Sequence, residues 1–180
     1  MEKIKVIPNS TFFICFLDDI ERPESLSKIM TYEEFNFVLG RIVRNEISKS
    51  RNYQKISYHI ENATLIEYEA FEEVLKPFMS SDEISRGEHE AIAIAYVMDY
   101  LGERVILVLD DEDARKFVSK NLKGLSGSMV GTIGFIKKCC CNYAIFDKNE
   151  AISILLGIKK SKFRINERII EDVIKEIEGC

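Results

Sequence analysis

Apolar positions along this chain recur with two different periods, and the two kinds of segment alternate. Residues 3–7 read as a short strand that Pro8 ends. Residues 35–39 read as a short buried strand, broken by Gly40. Residues 105–109 (Val105, Ile106, Leu107, Val108, Leu109) are uninterrupted, as expected of a strand in a parallel sheet covered on both faces. Ile56, Tyr58 and Ile60 alternate and predict a strand over 55–60. Between these runs the spacing is helical. Asn9-Ser10-Thr11 caps a helix carrying Phe12, Phe13, Cys15, Phe16 and Leu17. Residues 23–30 form a helix with proline at its start, and 41–49 form one with Ile42, Val43 and Ile47 on one face. Further helices are predicted over 68–78, with Phe71, Val74 and Leu75 inward, over 87–101 with Gly102 as its stop, and over 111–120. Residues 125–130 read as a glycine-rich crossing or a short strand. Helices over 132–141, 149–157 and 166–178 follow, the last with Ile169, Ile170, Val173, Ile174 and Ile177 as an apolar stripe. Strands alternating with helices predict an α/β fold: a three-layer α/β/α sandwich with a mainly parallel central sheet and right-handed crossovers.

Length agrees with one domain over 1–180, long enough to bury a real core. No repeat and no Gly/Ser linker divides the chain. The net charge of −5 gives no whole-chain basic signature, although local clusters of Lys and Arg suffice for nucleic acid. No apolar run is long enough to span a bilayer, and the start lacks a signal-peptide core, so a cytoplasmic location is expected. Five cysteines occur without C-x-x-C spacing, and Cys139-Cys140-Cys141 cannot all ligate one zinc in normal geometry. They are expected to be reduced thiols on a half-buried helix. With only His59 and His89, a histidine-based site is not expected.

Carboxylates carry the chemistry. Asp110 and Asp111 follow the clearest strand, and Glu88 opens the helix Arg86-Gly87-Glu88-His89-Glu90-Ala91. Ligands in an open α/β sheet sit at the C-terminal edge of the strands. Acids gathered there, without a zinc pattern, suggest a hard cation such as Mg²⁺ or Mn²⁺. Asn9 after the first strand and Glu46 in the helix after Gly40 complete the set. A metal-assisted phosphodiesterase needs such a set: the acids fix the cation, which acidifies a bound water and neutralises charge on the phosphate.

These motifs, taken in order, resemble the PIN-domain family across nearly the whole chain. Ile7-Pro8-Asn9-Ser10-Thr11-Phe12-Phe13-Ile14 is similar to the family's opening strand and Asp-x-Ser/Thr turn. Val43-Arg44-Asn45-Glu46-Ile47 is similar to its second motif, with a glutamate facing the metal. Gly87-Glu88-His89-Glu90-Ala91-Ile92-Ala93 resembles the Gly-Glu-x-Glu-Ala-Ile-Ala form of one branch. Leu109-Asp110-Asp111 with Ala114-Arg115 resembles that branch's strand end, and Val130-Gly131-Thr132-Ile133-Gly134 its Gly-Thr-x-Gly helix start. Phe163-Arg164-Ile165 with the final helix resembles its C-terminal end. The resemblance implies a compact Mg²⁺- or Mn²⁺-dependent ribonuclease, with Glu46, Glu88, Asp110 and Asp111 as metal ligands and Asn9 orienting a ligand or water. Toxin ribonucleases belong to this family, so an antitoxin-like partner or a homodimer is a further expectation.

One position departs from the pattern. The family usually has aspartate where this chain has Asn9. Losing that charge weakens a hard-cation site. Asp18 or Asp19 could compensate; alternatively the chain is a catalytically degenerate module that binds RNA or a protein without cutting. Several residues carry two readings each. Glu88 and Glu90, two apart on a helix, cannot both face one metal, and Glu88 is favoured. Asp110 and Asp111 are either ligands or a cap for the next helix. Thr132 and Ser128 either position a phosphate or merely flank a tight turn at Gly131 and Gly134. Arg41, Arg44, Lys49, Arg51, Lys137 and Lys138 either contact RNA phosphates or form a solvated face. His89 is expected at the surface, and Phe12, Phe13 and Phe16 in the core.

Overall fold

A computed structural model of the chain describes residues 2–66 and 84–180. The helix expected over 68–78 lies outside the described residues. Five parallel strands form one sheet in the order β3-β2-β1-β4-β5. They are β1 (Ile4–Pro8), β2 (Phe35–Gly40), β3 (Thr64–Ile66), β4 (Val105–Val108) and β5 (Met129–Val130). Among the described residues the α-helices are α1 (Ser10–Ile14), α2 (Pro23–Met30), α3 (Arg41–Ile47), α4 (Ser57–Asn62), α5 (Arg86–Tyr100), α6 (Glu112–Asn121), α7 (Lys123–Ser126), α8 (Thr132–Cys141), α9 (Lys148–Lys159) and α10 (Glu167–Gly179). A wider π-type turn, Cys15–Asp19, extends α1, with the Ile20 N–H reaching back to the Cys15 carbonyl.

Side-chain alternation along the strands divides the interior into two cores. Ile4 and Val6 of β1, Phe35, Phe37 and Leu39 of β2, and Ile106 and Val108 of β4 face one layer. There they meet Phe12, Phe13 and Phe16, Val43 and Ile47, and the apolar sides of α8, α9 and α10. Ile7, Val38, Val105, Leu107 and Leu109 face the other, which α5, α6 and α7 cover. Both faces of the middle strands are therefore dry, which explains the unbroken apolar run at 105–109. The result is the three-layer sandwich expected, and its sheet is wholly parallel.

Three expectations need correction. Residues 55–60 are not a strand: a 3-10 turn (Tyr53–Lys55) leads into α4, which buries Ile56 and Ile60 while Tyr58 is 72% exposed. The strand follows instead, as β3 on the edge. The alternation of three side chains at 56, 58 and 60 also fits a short helix resting on one side. Second, Ile169, placed in the apolar stripe of α10, is 48% exposed, while the stripe itself packs on α8 and α9. Third, the cysteines are not all free. Cys141, the last residue of α8, is bonded to Cys180 because α10 lies alongside α8 in the same direction, Lys137 meeting Glu176 and Cys141 meeting Cys180. Cys15, Cys139 and Cys140 remain thiols.

Candidate active site

The strand order places β1 between β2 and β4, so successive crossovers leave β1 in opposite directions. The crevice outside the C-terminal ends of β1 and β4 is the position where such sheets bind ligands. Asn9 directly follows β1, and its N–H donates to the Val108 carbonyl (3.1 Å), which ties it to the end of β4. Asp110 lies two residues past β4, and Thr132 opens α8 just past β5. Glu46 comes from α3 beyond β2, and Glu88 from the first turn of α5.

Asp110 and Asp111 have separate tasks. The Thr132 N–H donates to Asp110 Oδ1 (2.8 Å), and the Thr132 hydroxyl donates to Oδ2 (2.6 Å). Thr132 is itself fully buried, so these two bonds fix the carboxylate against a rigid helix start. Arg115 on α6 donates from Nη1 to the Leu109 carbonyl (3.0 Å) and places its charge beside Asp110. The gap is narrow: a Cβ on Gly131 would stand 3.2 Å from Asp110 Oδ1 and 3.4 Å from Arg115 Nη1. Burial pushes the Asp110 carboxyl above its usual range, against the pull of the Thr132 bonds and Arg115. Asp111 turns the other way and caps α6, accepting from the Ala114 N–H (2.8 Å).

Glu46 and Glu88 meet where α3 packs on α5. A Cβ on Gly87 would stand 2.7 Å from Glu46 Oε2, so the glutamate lies directly on the bare backbone of Gly87. Glu88 completes a capping box with Ser85: the Ser85 N–H donates to Glu88 Oε2 (2.9 Å) and the Glu88 N–H donates to the Ser85 hydroxyl. Burial raises the Glu88 carboxyl, the Ser85 bonds oppose that, and the negative charges of Asp111 and Glu46 raise it further. Acids from three separate stretches of the chain therefore feel one another.

Glu90 faces elsewhere, as the two-residue spacing requires. It is fully buried and accepts from the backbone N–H groups of Ile42 (2.9 Å) and Val43 (2.8 Å). Gly40, the cap residue of α3, offers those groups no side chain, and a Cβ there would fall 1.9 Å from Glu90 Cδ. Glu90 thus locks the start of the helix that carries Glu46. Sequence reasoning missed this role. The available signal was a helix opening on Gly40-Arg41-Ile42-Val43 without a capping side chain.

Asn9 is 1% exposed. Its Oδ1 accepts from the Phe12 N–H (3.4 Å) as the cap of α1. That bond fixes which way the amide faces, and it leaves Nδ2 buried without a partner. Of the two possible compensating acids Asp18 is engaged: its Oδ1 accepts from the Ser50 hydroxyl (2.8 Å) and the Arg51 N–H (3.2 Å). Asp19, its neighbour, is raised by burial and by Asp18, with Lys162 opposing.

The remaining candidates are spread more widely. Arg41 is exposed, Arg44 is half-buried, and both lie on α3 with Glu46. Arg51 is paired with Glu21 (3.4 Å), and Lys137 with Glu176 on α10. Ser128 precedes β5, its carbonyl accepting from the Leu107 N–H, so it lies below the edge that Thr132 occupies. His89 is half-buried, not a surface residue, and its Nε2 has no partner; burial lowers its pKa.

As a test of fit to a divalent cation, the oxygen donors and their mutual repulsion suit a hard ion. Glu46, Glu88 and Asp110 are the side chains that would hold it. Asn9 adds no charge to the set: its one oxygen caps α1, and its other atom is an N–H donor. Among the described residues no three carboxylates bring oxygens within 4.8 Å of one another, so the acids border an open edge rather than a closed cage. No helix among the described residues is long and apolar enough to cross a membrane.

No curated protein and no solved structure matches the chain. A sequence-family model described as a PIN domain does match, over residues 5–179, from the first strand through the last helix. Together with the parallel sheet and the acids at its reversal point, that match shows that the chain belongs to the PIN-domain family.

Proposed function

We propose that this protein is a divalent-metal-dependent ribonuclease working at the C-terminal edge of its sheet. PIN domains are generally nucleases, and they typically use divalent metals. The observation that carries the reading is the crowding of Glu46, Glu88 and Asp111 at the strand-order reversal, where Asp110, next to Asp111 in the chain, is also buried. Like charges held together cost stability unless a cation joins them. Glu46, Glu88 and Asp110 would hold Mg²⁺ or Mn²⁺, and the ion would supply an acidified water and offset charge on the phosphodiester. Thr132 keeps Asp110 in place, and Glu90 does the same for Glu46 through α3. Asp111 adds negative potential while capping α6. Arg41 and Arg44 neutralise RNA phosphates along the approach.

A second reading has a specific observation behind it. The inward N–H of Asn9 cannot ligate a cation, and a chain short of one ligand could bind RNA without cutting it. RNA cleavage in Mn²⁺ separates the two. Asp110→Asn combined with Asp111→Asn should abolish cleavage by the natural sequence. A variant that cuts at the natural rate rejects the site, and a natural sequence that binds RNA but never cuts favours the second reading.

A further inference from the structure

Opposite the acidic edge, at the far end of α8, three sulphur atoms gather. The Sγ atoms of Cys140, Cys141 and Cys180 all lie within 4.8 Å of one another. Two of them form the Cys141–Cys180 disulfide, and Cys140 is a free thiol 9% exposed. Cys139 points into the core and takes no part. The grouping is invisible in the run Cys139-Cys140-Cys141, because its third member arrives from the end of the chain. Helix α10 brings it there, held to its neighbours by Lys137 to Glu176, Lys148 to the Glu178 carbonyl (3.0 Å) and Lys159 to Glu171 (2.7 Å).

Thiolate sulphurs around one zinc-like ion sit about 2.3 Å from it. Sulphurs already within 4.8 Å of one another therefore need only a small adjustment once the disulfide opens. Cys180 is exposed, so reductant and ion can reach the cluster. Three thiolates are soft ligands and select a different class of metal from the all-oxygen edge.

We propose that Cys140, Cys141 and Cys180 form a redox-gated site for a soft, thiophilic metal ion. A dithiol reductant gives two electrons and two protons to the Cys141–Cys180 bond, which breaks into two thiols as the reductant closes to its own disulfide. The three thiols then release their protons to solvent as the ion takes their sulphurs. Oxidised, the cluster staples the end of the chain to α8; reduced, the ion takes over that role. This site is independent of the nuclease reading.

The test is titration of Cd²⁺ into the full chain after reduction with dithiothreitol and anaerobic desalting. The readout is ultraviolet thiolate-to-metal charge transfer, which cadmium held by carboxylates at the other end cannot produce. Expected is a band that saturates at one ion per chain, is absent from the disulfide form, and protects all three cysteines from alkylation. Cys140→Ser and, at the exposed terminus, Cys180→Ser should each weaken binding by more than about tenfold, the least that loss of even an outer partner usually costs. A reduced chain of unchanged circular dichroism that shows no band at one equivalent overturns the site. So does affinity that survives Cys180→Ser.

Discussion

On the proposed function, position 9 is where the sheet edge lacks a negative charge that an aspartate would supply. The Asn9 amide spends its oxygen on the cap of α1 and leaves its nitrogen buried and unpartnered. Aspartate caps as well as asparagine does, so Asn9→Asp should keep α1 while replacing the stranded N–H with an oxygen. Calorimetry should then show tighter Mn²⁺ binding. In chelator the variant should melt below the natural protein, because another negative charge joins Asp110 without compensation; Mn²⁺ should reverse the order. Unchanged Mn²⁺ affinity would show that Asn9 does not face the ion. Thr132 illustrates the same scale from the other side. One residue holds both oxygens of Asp110, so the acid's direction is set before any ligand arrives.

At the scale of elements, two glycines and one buried acid set the distance between α3 and α5. Glu90→Gln keeps the shape but gives up the charge that accepts from Ile42 and Val43. Hydrogen bonds to a charged group contribute about 1.5–3 kcal/mol each, so chemical denaturation should show a loss of roughly that size. Cleavage should fall too, because α3 carries Glu46. Gly87→Ala tests the same contact more gently. Its methyl meets the far end of a flexible side chain, so the protein should fold with near-natural stability while Glu46 is pushed from its place. Cleavage that survives Gly87→Ala at the natural rate would mean Glu46 is not positioned by this contact.

The same elements show what the sequence could and could not reveal. Apolar runs and caps located β1, β2, β4, α2 and α8 to within a residue or so, because their cores and ends are local properties. The glycine after α5 was readable for a local reason: Gly102 has φ +84°, the left-handed stop that glycine favours. The edge strand β3 was misplaced because Ile56 and Ile60 bury themselves equally well from α4. Glu90 read as half of an acidic pair, since nothing near it in sequence shows that it caps a helix starting 49 residues earlier at Arg41. The Cys141–Cys180 bond, 39 residues apart, was hidden for the same reason: it depends on the return of α10. The candidate acids stood out in the sequence because Asp110 and Asp111 follow a strand, Glu88 opens a helix and Glu46 lies in the helix after Gly40. Their division of labour was not, since it depends on which backbone N–H each oxygen meets.

At the scale of the whole molecule, the two proposed sites lie at opposite ends of one helix. The two dry faces of the sheet hold α8 and α5 rigidly on opposite sides, with Thr132 at one end of α8 and the sulphur cluster at the other. Oxygen donors gather where the strand order reverses, and sulphur donors where the chain ends. The central claim concerns the first of these: that acids from α3, α5 and the end of β4 act on one ion. Calorimetric titration of Mn²⁺ into metal-free protein, beside Asp110→Asn, tests it without requiring the right RNA. The account predicts a saturable site in the natural chain that Asp110→Asn removes or greatly weakens. No binding by the natural chain, or equal binding by both, would contradict it.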